Sequence, residues 1–297
     1  MQDVVLIASL HARHGAEDFE RAKGLLTEKG LRVVEAHPVP DKKQMRKRVR
    51  EAIKSGHKLI CVAGGDGSQT SVVGYFAHTD AVLGVLPAGT GNSFAMSLGI
   101  AGEIEAAVDV IANGKVAEVD LGKADDKYFA NFATIGLSSE IAEETPHGLK
   151  AVLGPIAYGV AGIGPMLAHK PFTAKVSWKS NVLELETHQI IVVNGRYYGH
   201  EPIAPDQTPV NGTLAFFATS GTTRMDIVRT YFALLRGQQA DLRDAHTFYA
   251  KKITVKTKGT HQPVSIDGDA LCDTPITFSV APKALRVMVP ASFPEGI

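Results

Sequence analysis

A chain of 297 residues, 44% apolar and 21% charged, is long enough for two ordinary domains and too apolar to stay disordered. Lys plus Arg and Asp plus Glu both total 31, so the formal charge cancels. That balance argues against a nucleic-acid partner, whose binding rests on neutralising many phosphates. Only two cysteines occur, Cys61 in an apolar run and Cys272 in an expected loop. Two thiols build neither a disulfide framework nor a zinc site, and point to a reducing cytoplasm.

Taken in chain order, the first 120 residues alternate short apolar runs with helical segments. Strands are expected at Val4–Ala8, Arg32–Ala36, Leu59–Ala63 and Val82–Leu86. Helices are expected at Glu17–Lys29, Met45–Ser55, Ser68–Ala77 and Ile104–Ala112. Apolar runs of this length separated by helices specify βαβ units around an open, mostly parallel sheet. Met1–Ala8 carries no secretory signal. After about Val116 the pattern changes to β runs with Asn-Gly and Lys-Gly turns between them, at Phe172–Trp178, His188–Val193, Thr213–Ala218, Ile253–Lys256 and Ile276–Val280. Only two helical stretches interrupt these runs, at residues 151–168 and Asp226–Leu235. The expected architecture is an α/β N-terminal domain over 1–120 and an antiparallel β-sandwich domain over 121–282. A last run, Leu285–Val289, is expected to return to the first domain, completing it with residues 283–297.

The segment 151–168 has no charged residue over 18 positions, the lower limit for a membrane span. Its glycines and the prolines Pro155 and Pro165 would break a spanning helix, so no transmembrane span is expected. A buried or membrane-facing hairpin is the reading adopted, and it leaves open whether this stretch and Tyr197-Tyr198 line a lipid tunnel or fill a core.

Three segments carry chemistry. Gly64-Gly65-Asp66-Gly67-Ser68 follows the strongest expected strand and precedes a helix. Glycines let backbone N–H groups approach phosphate oxygens, and a helix N-terminus adds donors and a positive dipole end. Asp66 is placed to bind Mg²⁺ or orient phosphates, and Ser68 to cap the helix. Pro87-Ala88-Gly89-Thr90-Gly91-Asn92-Ser93-Phe94-Ala95 repeats the strand–loop–helix arrangement. Two such loops at one sheet edge sit where open α/β sheets bind ligands. Thr90 and Asn92 suit phosphate or ribose. Neither loop has the P-loop spacing, and no G-x-G-x-x-G follows the first strand. The third segment is Ser265-Ile266-Asp267-Gly268-Asp269. Its two carboxylates could divide proton removal and metal binding between them, or it could be a plain hairpin turn.

The order G-G-D-G-[ST], then P-x-G-T-x-N-x-F-A, then a late D-G-[DE], resembles the diacylglycerol kinase catalytic family, which includes soluble bacterial lipid kinases and the sphingosine and ceramide kinases. Ile135-Gly136-Leu137, Val193-Asn194-Gly195 and the closing Ala281–Pro290 run extend the resemblance over nearly the whole chain. G-G-D-G alone is shared with NAD kinases and phosphofructokinases. The resemblance implies an NAD-kinase-like first domain, a β-sandwich second domain, ATP in the cleft between them, and γ-phosphoryl transfer to a lipid hydroxyl. It implies that Gly64, Gly65, Asp66, Gly67, Ser68, Gly89, Thr90 and Asn92 contact the nucleotide, joined by Ser9 and Arg13 of the loop after the first strand. Asp267 and Asp269 would supply the catalytic base, with Asp66 also in the catalytic set, and Asp66 and Asp269 would hold Mg²⁺. The lipid would be met at a membrane surface by a cytoplasmic or peripheral protein, either monomeric or homodimeric. Two alternatives remain: a nucleotide- or lipid-binding regulator without turnover, and a kinase for another hydroxyl substrate such as NAD.

The sequence departs from the family's pattern at four places. The N-P-x loop reads Ser9-Leu10-His11, and the Asn-Glu pair after the glycine loop reads Thr70-Ser71. The N-D-F-A aspartate is Ser93, and D-G-x-L reads Asn211-Gly212-Thr213-Leu214, which removes a carboxylate that a structural Mg²⁺ would favour. The basic stretch Lys42–Lys54 could face anionic lipid headgroups and is read in preference as a solvated helix face, the histidines as carrying no metal spacing, and Trp178 as core.

Overall fold

A computed structural model describes residues 1–11, 15–144, 169–198, 201–204 and 206–296. The chain divides into two compact units, one formed by Met1–Leu121, Thr208–Asn211 and Ala281–Ile297, the other by Gly122–Gln207 and Gly212–Val280. Residues 151–168, read above as an apolar hairpin, lie outside the described residues, as does Arg13.

The first unit is a βα alternation: β1 (Asp3–Ser9), α1 (Gly15–Glu28), β2 (Arg32–Val39), α2 (Lys42–Lys54), β3 (Leu59–Gly64), α3 (Asp66–Phe76), β4 (Val82–Pro87), α4 (Ser93–Ser97) and α5 (Ile104–Asn113). Its strands lie in the order β2-β1-β3-β4 and are parallel. Every residue of β3 and β4 is buried. Continuous burial means both faces are covered, which is why these strands read as unbroken apolar runs. The helices supply the cover, with α1 against α5 and α2 against α3. Amphipathic spacing fixes which side faces inward: Met45, Val49 and Ala52 of α2 are buried while Lys43, Lys47, Arg50 and Lys54 are exposed.

The second unit follows β5 (Lys115–Ala124), which begins in the first. It comprises β6 (Lys127–Phe129), β7 (Phe132–Gly136), α6 (Leu137–Glu144), β8 (Phe172–Trp178), β9 (Asn181–Thr187), β10 (Gln189–Val193), β11 (Tyr197–Tyr198), β12 (Glu201–Pro202), β13 (Leu214–Thr219), α7 (Arg224–Leu235), β14 (Ala245–Ala250), β15 (Lys252–Thr257), β16 (Pro263–Ile266), β17 (Asp269–Asp273) and the first part of β18 (Ile276–Val289), whose end belongs to the first unit. One antiparallel sheet runs β14-β13-β10-β7-β16-β17, and a second places β9, β8, β15 and the first part of β18 side by side. Alternate residues of both sheets, among them Ile135, Val176, Ile190, Phe216, Ile253 and Phe278, form one buried cluster. This is the sandwich core, built on the two-residue period of a strand. On the outer face of β10 and β13, Ile191, Val193, Ala215 and Phe217 form a second cluster, against which Leu234 of α7 packs.

The expectation of an α/β domain followed by an antiparallel sandwich describes this architecture. Some details differ. Ser68 does not cap α3: the helix begins at Asp66 with Gly65 as its cap, because the chain turns at the glycine pair two residues sooner. Cys272 is an exposed residue of β17 and not of a loop. A further helix, α6, stands between β7 and β8, and β18 continues without a break through Pro282. Trp178 is half-buried, its ring stacked 3.8 Å from Phe248 at the margin of the core. Among the described residues no helix is long and apolar enough to cross a membrane.

Two histidines, assigned no role above, meet inside the second unit. The rings of His169 and His188 are 5.4 Å apart, and His169 Nδ1 is 2.8 Å from Glu140 Oε2 of α6. Burial, and secondarily the His169 charge, pushes the His188 pKa below the ordinary imidazole value of 6.5. A folded value below the unfolded one means that the unfolded chain binds more protons, so stability is retained above the unfolded pKa and lost as the pH falls through it toward the lower folded value. Thermal melts between about pH 8 and about pH 5 are expected to show this acid-side loss, and His188→Gln to flatten it.

Candidate active site

The carboxyl ends of β1, β3 and β4 come together in the first unit. Ala8 pairs with Ala63, and Gly64 with Pro87. A Cβ placed on Gly64, whose φ is +156°, would stand 2.7 Å from Ser68 Cβ and 3.4 Å from Ser9 Cβ. Ser9, the glycine pair and Ser68 therefore crowd at one strand end. The second loop touches the first backbone to backbone, since a Cβ on Gly89 would lie 2.5 Å from Gly65 Cα. No side chain other than hydrogen fits at that crossing.

Side chains fix the two loops to each other. Gln69, fully buried, donates from Nε2 to Gly64 O at 2.9 Å and to Leu86 O at 3.1 Å, tying the ends of β3 and β4. Asp66 Oδ1 accepts from Phe94 N at 2.9 Å, which holds the start of α4 against the first loop. Its other oxygen would lie 2.9 Å from a Cβ on Gly91. Asn92 takes left-handed φ and ψ of 52° and 33° and closes its own loop, accepting from Gly89 N at 3.1 Å and donating to Gly89 O at 2.9 Å. Asn92, expected to meet phosphate or ribose, thus shapes the loop, while Thr90 is exposed at its tip. Thr70 and Ser71 turn their hydroxyls back to Asp66 O and Ser68 O, at 2.9 and 2.8 Å. The N-cap Gly65 makes no side-chain capping bond. The positive dipole end of a helix that begins so favours an anion.

One residue read only as part of a solvated basic face belongs to this cluster. Lys42, the first residue of α2, brings Nζ to within 3.0 Å of a Cβ position on Gly67. The sequence signal for it is its place just after the Asp41 cap, whose side chain accepts from Gln44 N and fixes where the helix starts.

In the second unit Asp267-Gly268 is the two-residue turn between β16 and β17, with φ of 48° and 80° and Ile266 paired to Asp269. Positive φ at both turn residues suits the right-handed strand twist and explains the Asp-Gly choice. The Asp267 carboxylate reaches across 135 to 137 positions of sequence to backbone: Oδ2 accepts from Ala130 N at 2.8 Å, and Oδ1 from Asn131 N at 2.9 Å and Phe132 N at 3.2 Å. Asp267 N donates in return to Phe132 O at 2.8 Å. The carbonyl side of the same segment is also taken, by Asn194 N and Gly195 N on Asn131 O and by Asn194 Nδ2 on Ala130 O. Asp267 thus acts as an anchor for the entry to β7. Asp269, half-buried, opens β17 immediately after the turn.

An α/β unit carrying two crossed glycine loops and an antiparallel sandwich presenting a D-G-D turn define a two-domain protein of NAD-kinase-like architecture. Residues 4–124 match the diacylglycerol kinase catalytic domain, and residues 132–289 match the YegS C-terminal NAD kinase beta sandwich-like domain. The chain therefore belongs to the family of that sandwich domain, which covers more than half of it, and carries ahead of it the diacylglycerol kinase catalytic domain of a lipid kinase. A diacylglycerol kinase of Bacillus subtilis (strain 168) is 29% identical over 253 residues, 84% of this chain and 83% of its own. One from Staphylococcus epidermidis (strain ATCC 12228) is 27% identical over 248 residues, 80% and 76% of the two chains. A diacylglycerol kinase structure from Bacillus anthracis (strain Sterne) has a TM-score of 0.77 at 24% identity, over 97% of this chain and 96% of its own, a likeness of fold.

Proposed function

We propose that this protein transfers the γ-phosphate of ATP, with Mg²⁺, to the hydroxyl of a diacylglycerol-like or sphingoid lipid at a membrane surface. The observation that supports this most is the backbone crossing of Gly65 and Gly89 at the start of α3, with the Lys42 ammonium beside Gly67 in the helix's first turn. Backbone donors, a helix N-terminus and one cation on a long stem fit a polyphosphate, because they offer hydrogen bonds and charge without a bulky side chain. Among the described residues no three His, Cys, Asp or Glu groups stand together as a cation cage. Mg²⁺ usually takes one or two carboxylates together with substrate phosphates, and in the first unit Asp66, beside the glycine loops, is the residue that would hold it. When bound, the nucleotide would supply the phosphoryl group and the ion would offset its charge; the chain supplies position.

Within this reading Asp269 accepts the proton of the attacking hydroxyl, since both oxygens of Asp267 already accept backbone amides. Asp267 holds the turn that carries Asp269. Lys42 draws the phosphates onto the loop.

The test is labelled ATP and Mg²⁺ offered with diacylglycerol, sphingoid bases and NAD in parallel. Labelled phospholipid is expected, and Lys42→Met is expected to raise the KM for ATP about tenfold, with a smaller change in kcat. Nucleotide binding without transfer would favour the regulator. Phosphorylation of NAD alone would overturn the lipid reading.

A further inference from the structure

Among the described residues, helix α7 carries an exposed apolar stripe. Its inner face is ordinary: Ile227 and Ala233 are buried, and Leu234 packs on the outer cluster of β10 and β13. Its outer face is not. Met225 is 70% exposed, Val228 39% and Phe232 48%. Spacings of three and four place these three side chains on one line along the helix, one turn apart. Among the described residues the other exposed large apolar side chains, Met1, Leu10, Val34, Val116, Val182 and Tyr249, stand singly along the sequence.

Charge frames the stripe. From Arg224 to Arg236 the sequence holds three arginines and one acid. The acid, Asp226, is spent on the capping box, accepting from Thr223 N at 3.0 Å and Thr223 Oγ1 at 2.7 Å. Arg229 pairs with Asp244 at 2.6 Å while remaining half exposed. The Arg236 guanidinium stands 5.7 Å from the Phe232 ring centroid, so its charge borders the apolar line directly. Beside the helix a cavity of about 290 Å³ opens, with Phe232 on one wall and Arg229, Arg236, Gln238 and Asp241 around it. An apolar stripe bordered by arginines matches the boundary where acyl chains meet anionic headgroups.

We infer that α7 is a membrane-docking helix, laying Met225, Val228 and Phe232 into the acyl boundary of a bilayer while Arg224, Arg229 and Arg236 meet anionic lipid headgroups. The inference rests on the lipid-kinase reading for its choice of occupant, since a substrate buried in a bilayer must be met there. It stands apart from that reading in its residues, none of which belongs to the glycine loops or to Asp267–Asp269.

Flotation of the full chain with vesicles tests it. Binding is expected to phosphatidylcholine vesicles doped with phosphatidylglycerol, and to fall at least about tenfold on pure phosphatidylcholine or on substituting Phe232→Glu. In a Trp178→Phe background, Phe232→Trp is expected to shift its emission to the blue on the anionic vesicles, a direct readout of insertion. Melting curves verify that each exposed-site variant is folded. Equal flotation of Phe232→Glu and the parent, or an unshifted emission from the Phe232→Trp variant, would overturn the inference. So would concentration-dependent self-association that Phe232→Glu abolishes, because a second copy would then be the occupant. Phosphorylation of short-chain diacylglycerol in detergent micelles is measured on the same samples. Retained micellar activity with lost flotation separates docking from catalysis, and flotation without any lipid phosphorylation leaves the docking helix standing while the proposed function falls.

Discussion

Asp269→Asn is expected to lower turnover about 10³-fold with no change in melting temperature, and Asp267→Ala to lose activity by a different route, through stability. A general base contributes on the order of 10²- to 10⁴-fold to rate, and asparagine keeps the shape of the residue while removing its proton affinity. Asp269 is half-buried at the first position of β17, where asparagine fills the same volume. Asp267 is the opposite case. Its carboxylate receives three backbone amides from 130–132, and removing it strands those donors in a part-buried setting. Charge-assisted bonds of this kind are each worth roughly 1.5–3 kcal/mol, so a loss of about 3–5 kcal/mol is expected after partial rehydration. Circular dichroism melts beside single-turnover rates separate the two. A cool-melting Asp269→Asn, or an Asp267→Ala that melts like wild type yet transfers nothing, would exchange the two assignments.

Gly89→Ala is expected to weaken ATP binding about 100-fold while leaving the second unit folded. The added methyl would meet Gly65 Cα at 2.5 Å, closer than carbon atoms approach, and backbone has no rotamer with which to yield. One loop must move by roughly 1 Å, and a displacement of that size in a positioning element costs on the order of 10². Calorimetric titration with ATP and Mg²⁺ measures the effect. Gly102→Ala is the control, since the nearest atom to its Cβ, Asn92 Nδ2, lies at 3.8 Å. Equal affinities for Gly89→Ala and the control would show that the crossing is not part of the nucleotide site.

The elements are legible where local physics dominates. β3 and β4 are continuous apolar runs bounded by glycine and proline, and their ends fall within a residue of where the runs stop. The two glycine loops and the Asp-Gly turn announce their backbone conformations by composition. What stays hidden depends on distant partners. A lysine in a basic helix reads as solvated, and only the packing of α2 beside α3 brings Lys42 over Gly67. The three amides that engage Asp267 belong to a segment more than 130 positions earlier, with nothing in their own letters to mark them. Gln69 reads as an ordinary helical polar residue until the ends of β3 and β4 are drawn to either side of it. α6 is only eight residues of Leu-Ser-Ser-Glu-Ile-Ala-Glu-Glu, too short for its periodicity to stand out. Pro282 splits β18 into two runs on paper, because proline cannot donate to a ladder. In the structure it lies between the stretch paired to β15 and the stretch paired to β4, and Lys283 N beyond it donates to Asp120 Oδ1.

β18 also sets an order of events during synthesis. Its last part pairs with β4 in parallel, Arg286 with Val82 and Val287 with Leu83, so the sheet that bears both glycine loops gains this strand only after the whole sandwich has been made. A parallel pairing closed over so long a stretch of chain is slow, and until it forms the apolar edge of β4 lacks its partner. The unit begun first is completed after the second. A nascent chain halted before residue 282 would hold a sandwich ready to fold and a nucleotide-type sheet still waiting for its edge.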